Sequence, residues 1–213
     1  MKTDELVRLL AAGVGASEPH AARCRYAVAL AWGAFGTTLL MAIRLGVRPD
    51  IATAMRLTMF WVKLALPASL AVGALLAAGR LSRPGARLGR GPLALVVPVL
   101  LVWLLAAIDL LQAAPEQRSS LILGATATDC LVYVTVLSLP MMAGAFWAMM
   151  GLAPTRLWLA GAAAGLLAGA TGALLYALHC PEMQASFIGV WYVAGMLIPT
   201  LAGAILGPNM LRW

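Results

Sequence analysis

Charge is scarce in this chain of 213 residues: Asp, Glu, Lys and Arg make up 11% of it, where a soluble domain carries about 25%. Acid is scarcest, with eight Asp and Glu against fifteen Lys and Arg, and there are only two histidines and three cysteines. A surface with so little charge does not face water, and this excludes a soluble globular domain. There is no Gly-x-Ser-x-Gly, no His-Glu-x-x-His and no glycine-rich phosphate loop. The usual constellations for acyl transfer, zinc hydrolysis and nucleotide chemistry are therefore missing, and nothing reads as an enzyme. A secretory leader is not expected either. Met1-Lys2-Thr3-Asp4-Glu5-Leu6 sets acids where a basic n-region would stand, and the first long apolar run opens only near Tyr26.

What the chain has is apolar length: 62% of it is hydrophobic. A spanning helix needs about 20 mostly apolar residues. Such runs are read at 26–44, 57–78, 92–113, 126–149, 157–178 and 186–206. The fourth apolar stretch starts near Leu121 and is too long for one straight span, so its first residues, Gly124 included, belong to an outer loop or lead-in turn. The expected fold is an all-α integral membrane protein: a six-transmembrane-helix bundle (26–213) preceded by a short N-terminal segment (1–25). The lipid bilayer is its first partner. The net charge of +7 would suit nucleic acid, but the basic residues stand at the ends of apolar runs, so no direct nucleic-acid contact is expected. One side holds Lys2, Arg8, Arg23, Arg25, Arg80, Arg83, Arg87, Arg90, Arg156 and Arg212; the other holds Arg44, Arg48, Arg56, Arg118 and Lys63. The richer side belongs in the cytoplasm. An even number of spans then places both termini there.

The N-terminal segment reads as a short cytoplasmic helix. Thr3 caps it, Asp4 and Glu5 suit the positive end of its dipole, Leu6, Leu9 and Leu10 share a face, and Gly13 and Gly15 end it. A helix this short is marginal alone in water, so it needs a surface: a partner, the membrane, or the protein's own loops. Gly161, Gly165 and Gly169 recur at every fourth position and form a flat stripe on the fifth span, which reads as close packing inside the bundle. Pro67, Pro98, Pro140 and Pro199 fall inside or near the ends of spans and can kink them.

Chemistry is confined to a few side chains. Cys24 lies at the cytoplasmic end of the first span, where thiols stay reduced. Cys130 lies about one turn below the outer surface at the start of the fourth span, and Cys180 at the outer end of the fifth. Spans joined by a short inner connection near Pro154 and Thr155 are antiparallel neighbours, so these thiols are expected to approach each other at the oxidising face. Asp109, Asp129, His179, Glu182 and Lys63 fall at the same level. Ionisable residues inside a membrane are costly and mark pairing or function. Lys63 is expected to pair with Asp109 or Asp129, the alternative being that it snorkels outward alone. Three readings of the cysteines stay open: a reversible Cys130–Cys180 disulfide, capture of copper or zinc by Cys130, Cys180 and His179, or a structural disulfide or two inert thiols. Thiolate and imidazole suit those metals, although no Cys-x-x-Cys spacing supports them.

A series of local strings then becomes informative together. They are Met1-Lys2-Thr3-Asp4-Glu5-Leu6, Arg48-Pro49-Asp50, Phe60-Trp61-Val62-Lys63 and Arg83-Pro84-Gly85, then Cys130, Ser138-Leu139-Pro140 and Ala153-Pro154-Thr155-Arg156, and last Tyr176-Ala177-Leu178-His179-Cys180-Pro181-Glu182, Trp191-Tyr192 and Leu206-Gly207-Pro208. In this order, over the whole length, the chain resembles the NrsF-type anti-sigma factors, six-span inner-membrane proteins of proteobacteria. The resemblance implies a protein that holds an extracytoplasmic-function sigma factor at the membrane and releases it under oxidative or heavy-metal stress outside. It implies that Cys130 and Cys180 are the functional cysteines, and it gives Cys24 no counterpart. The sigma contact is then expected at Leu6, Leu9 and Leu10, docked as a helix in a groove, with the 80–90 loop beside it. The rival readings are a small transporter or channel and a thiol-exchanging membrane oxidoreductase subunit. The oligomeric state is not readable from the sequence.

Overall fold

The structure is a computed structural model that describes residues 3, 5, 21–82, 91–150, 152 and 154–212, and all regular structure among them is helical. The expected face of Leu6, Leu9 and Leu10 and the 83–90 stretch lie outside the described residues. Helix α1 (Ala21–Arg44) leads to a one-turn helix α2 (Ile51–Ala54), then α3 (Thr58–Leu81), α4 (Gly91–Gln112), α5 (Pro115–Leu123), α6 (Ala127–Met150) and α7 (Leu157–Tyr176). The last helix, α8 (Ala185–Met210), contains a π-helical turn over Ile188–Tyr192. Six stretches are long and apolar enough to cross a bilayer: Cys24–Arg44, Thr58–Leu81, Leu93–Gln112, Pro115–Met150, Leu157–Tyr176 and Ala185–Met210. They match the six runs expected from the sequence.

The expected lead-in to the fourth span is more regular than a loop. Pro115 stands in the first turn of α5 with Glu116 beside it, a start that suits both the missing proline N–H and the helix dipole. The break comes at Gly124, whose φ of 55° is costly for any side chain. A Cβ there would also lie 2.6 Å from the Phe187 ring. This glycine lets the chain turn from α5 into α6 directly beneath the start of α8.

Helix α7 is the most enclosed of the six long apolar helices and α4 the least. The glycine stripe on α7 packs within the bundle, as its spacing predicts. A Cβ on Gly161 would stand 2.1 Å from the Gly203 carbonyl oxygen, and one on Gly165 would stand 2.1 Å from that of Pro199. Gly203 and Gly207 answer from α8, so the two backbones touch. Gly172 meets α6 at the Val134 carbonyl, and Gly144 of α6 meets α1 at the Ala29 carbonyl. Small residues at these positions let the backbones approach closely, and the resulting dispersion contact joins these helices.

Two core clusters mark the two ends of the bundle. One includes Phe146, Met149, Leu167 and Leu211. There the starts of α1 and α7 meet the ends of α3, α6 and α8. Arg25 caps α6 through the Trp147 carbonyl (2.7 and 3.2 Å) and lies over the Trp147 ring, while the Tyr26 hydroxyl bonds to Ser82. The other cluster contains Cys130, Cys180, Tyr176 and Tyr192. We call its side the cysteine end.

Candidate functional site

The cysteine end is where the ionisable residues gather. Cys130 lies on the first turn of α6. Cys180 follows α7, with its N–H bonded to the Tyr176 carbonyl (2.9 Å). Both are fully buried free thiols, and they share one buried cluster with Tyr176 and Tyr192. The antiparallel arrangement of α6 and α7 thus brings the two predicted cysteines into one cluster. Aromatic rings wall it: Tyr133 stacks on Tyr176, and Tyr176 leans on both Tyr192 and His179. Tyr192 ends the π-helical turn of α8, and turns of this kind are frequent at functional sites. Among the described residues its buried hydroxyl finds no hydrogen-bond partner of ordinary geometry.

The connection from α7 to α8 closes over the thiols and is clamped from several directions. Lys63 of α3 is fully buried and donates to the carbonyls of Cys180 (2.7 Å) and Glu182 (2.8 Å). Its ammonium also lies over the Tyr192 ring at 5.6 Å. Arg48 donates to the Cys180 carbonyl (3.4 Å), and the Arg48 N–H to that of Leu178 (3.2 Å). His179 donates through Nδ1 to the Gly46 carbonyl (3.1 Å). The Glu182 carboxylate accepts from the Ala125 N–H (2.9 Å), next to the Gly124 turn. Further along, Ser186 and Trp191 donate to the carbonyls of Leu121 and Ile122.

The pairing expected for Lys63 is corrected here. Asp109 and Asp129 are both exposed, and the ion pair among the described residues joins Arg48 to Asp50 instead. Lys63 resolves its burial with backbone oxygens, which offer partial negative charge without a second ion to desolvate. Of the expected polar group, Lys63 and Glu182 enter the site while Asp109 and Asp129 stay outside it. Removing the Lys63 ammonium would leave the Cys180 carbonyl to Arg48 alone and take the Lys63 donor from that of Glu182, at a cost of ~1–3 kcal/mol if the latter stays buried and unpaired.

Arg48 and Asp50 were not recognised as site residues, although they flank Pro49 in one of the strings quoted above. Their side chains meet in a fork, Nε to Oδ1 at 2.6 Å and Nη2 to Oδ2 at 2.5 Å. The hydrogen bonds from Arg48 hold the Asp50 carboxyl below the usual carboxylate range, and those same bonds raise Arg48 above its ordinary value. Tyr176 and Tyr192 were missed as well. Their one sequence signal is the spacing that sets Tyr176 one helical turn before Cys180.

The expected copper or zinc set does not fit. Among the described residues no three of His, Cys, Asp and Glu stand close enough together to hold a metal ion. His179 turns its Nδ1 to Gly46 rather than joining the thiols. The arrangement offers two buried thiols, a buried cation beside them and a clamped cover: the elements of thiol chemistry.

Comparison with known proteins bears on this site. Residues 10–213 match the family described as "Negative regulator of sigma F" (NrsF). A "Probable anti-sigma-F factor NrsF" of Azospira oryzae is 52% identical over 213 residues, covering all of both chains. The "Anti-sigma-F factor NrsF" of Caulobacter vibrioides is 38% identical over 217 residues, again covering all of both. No solved structure matches the chain.

Proposed function

The chain belongs to the NrsF family of negative regulators of sigma F, and from that premise we propose that it is a membrane-bound anti-sigma factor whose Cys130–Cys180 pair senses oxidant. It sits in the bacterial inner membrane with both termini in the cytoplasm and the cysteine end facing the periplasm. It holds an extracytoplasmic-function sigma factor away from RNA polymerase and lets it go when the pair is oxidised. Family membership sets this reading ahead of a transporter or a thiol-exchanging oxidoreductase, since a regulator changes state once per signal. The observation that carries the sensing role is the pair itself: two free thiols, fully buried together at one end of the bundle.

The oxidant is a small peroxide. One cysteine, as its thiolate, attacks a peroxide oxygen, the O–O bond breaks, and the departing oxygen takes a proton and leaves as water. The resulting sulfenic acid is attacked by the second thiol. The S–O bond breaks, a second water leaves and the disulfide forms. Two electrons pass from the thiols to the peroxide. The disulfide reports to the cytoplasm by favouring one of two bundle arrangements over the other. There Leu6, Leu9 and Leu10 hold the sigma factor in its groove.

The test is co-purification of the protein with its sigma factor before and after peroxide. The expected result is that binding is lost on treatment in the intact chain and persists in C130S and C180S. Alanine at Leu6, Leu9 and Leu10 should abolish binding without any oxidant. A sigma factor absent under every condition would overturn the anti-sigma reading.

A further inference from the structure

Lys63 is unusual for a buried lysine. Among the described residues it has no carboxylate partner: its hydrogen bonds run to the carbonyls of Cys180 and Glu182. The groups that face it can be named element by element. From the α7–α8 connection come Cys180 and the backbone of Glu182, whose carboxylate is turned away to Ala125. Cys130 comes from α6 and Tyr192 from α8. Arg48 approaches from the α1–α2 connection and is already neutralised by Asp50. His179 is bonded to Gly46, and Tyr176 lies on the Tyr192 ring. Of the groups named around Lys63, the two thiols are intrinsically more acidic than the phenols of Tyr176 and Tyr192 and are the candidates to become its anion. Of the two, Cys180 is the one whose backbone Lys63 touches directly, at 2.7 Å from its carbonyl oxygen.

We propose that Lys63 is a positioning residue of the thiol pair, with its ammonium set to receive the negative charge of the Cys180 sulfur, so that Cys180 reacts first and Cys130 resolves. This rests on the thiol-sensor reading above and names the order of events within it. A cation beside a thiol favours the thiolate, which is the nucleophile. Lys63 already lies against the Cys180 backbone, so little rearrangement separates the carbonyl-bound ammonium from one that faces the sulfur. The step is the one written above, with Cys180 attacking the peroxide and Cys130 displacing the second water.

The clamp and the charge make opposite predictions for a Lys63 variant. If Lys63 only clamps the cover, removing it loosens the cover and exposes the buried thiols, so Cys180 reacts faster. If it stabilises the reacting sulfur, Cys180 reacts more slowly. The measurement is the rate at which a small neutral thiol reagent, methyl methanethiosulfonate, modifies Cys180 in the purified full-length protein carrying C130S. A matching C180S chain reports Cys130. K63M is expected to slow Cys180 about tenfold and Cys130 much less, while K63R keeps the rate. K63Q retains a donor for the two carbonyls without the charge, so it preserves the cover if K63M does not fold, and it too should be slow. Faster or unchanged modification of Cys180 in K63Q, or Cys130 reacting first in the intact chain, would overturn the proposal. If Cys180 obeys these rates but peroxide fails to release the sigma factor, the sensor reading fails and the role of Lys63 stands.

Discussion

Asp50 is more than half exposed, yet two hydrogen bonds from a single guanidinium keep it charged. The sign of its contribution follows. Its carboxyl titrates lower in the folded protein than in the unfolded chain, where an Asp has a pKa of about 3.9. Its stabilisation is therefore present above that value and lost as the pH falls through the depressed one. Unfolding midpoints in detergent should be higher for the intact chain than for D50N near neutral pH, and the gap should close as the pH falls below about 3.9. A gap unchanged by acid would mean that Asp50 acts through something other than its charge. Residues also show what a sequence can reveal of such a site. Cys130, Cys180 and Lys63 were legible because cysteines at an outer level and a lysine within an apolar run stand out by type. The partners of Lys63 were not, because they are main-chain oxygens, which every residue carries and no residue advertises. Looking for a carboxylate led to Asp109 and Asp129, which the fold leaves exposed.

Elements joined by glycine tolerate no added bulk. The α7–α8 contact brings Gly165 against the Pro199 carbonyl and Gly161 against Gly203, so even a methyl group must push the helices apart. Gly165→Ala is expected to cost about 1–3 kcal/mol, the usual range for overpacking. Gly79→Ala, with nothing among the described residues within 4 Å of the added carbon, should instead be neutral or stabilise by about 0.5–1 kcal/mol, since alanine is the better helix former. Unfolding midpoints of the two variants decide between contact and propensity. The spacing of Gly161, Gly165 and Gly169 announced a packing stripe, but not which helix it faced, since several spans are rich in small residues. Helix α5 was unreadable for a related reason: its mixed Pro115–Leu123 sequence carries no strong period, and the Phe187 ring that packs against the Gly124 turn lies more than sixty positions away.

The whole molecule has one thiol that reports on its orientation. Cys24 is exposed at the opposite end from Cys130 and Cys180, which are buried. A membrane-impermeant maleimide should therefore leave intact spheroplasts unlabelled and label inside-out vesicles at Cys24, the loss of label in C24S confirming the site. Labelling of intact spheroplasts at Cys24 would invert the topology and put the thiol pair in the cytoplasm. The six long apolar helices were plain in the sequence because length and apolarity alone define them. How they pack was not, because that is settled by close contacts that hydropathy does not encode. The cover over the thiols is gripped by its main chain: Lys63 and Arg48 both hold the carbonyl of residue 180, and a carbonyl is the same whatever side chain stands beside it. Exchanging sulfur for oxygen at this position therefore deletes reactivity while leaving the scaffold's handholds in place, which makes the serine variant a faithful control and predicts that architecture and chemistry at this end of the protein can be varied one at a time.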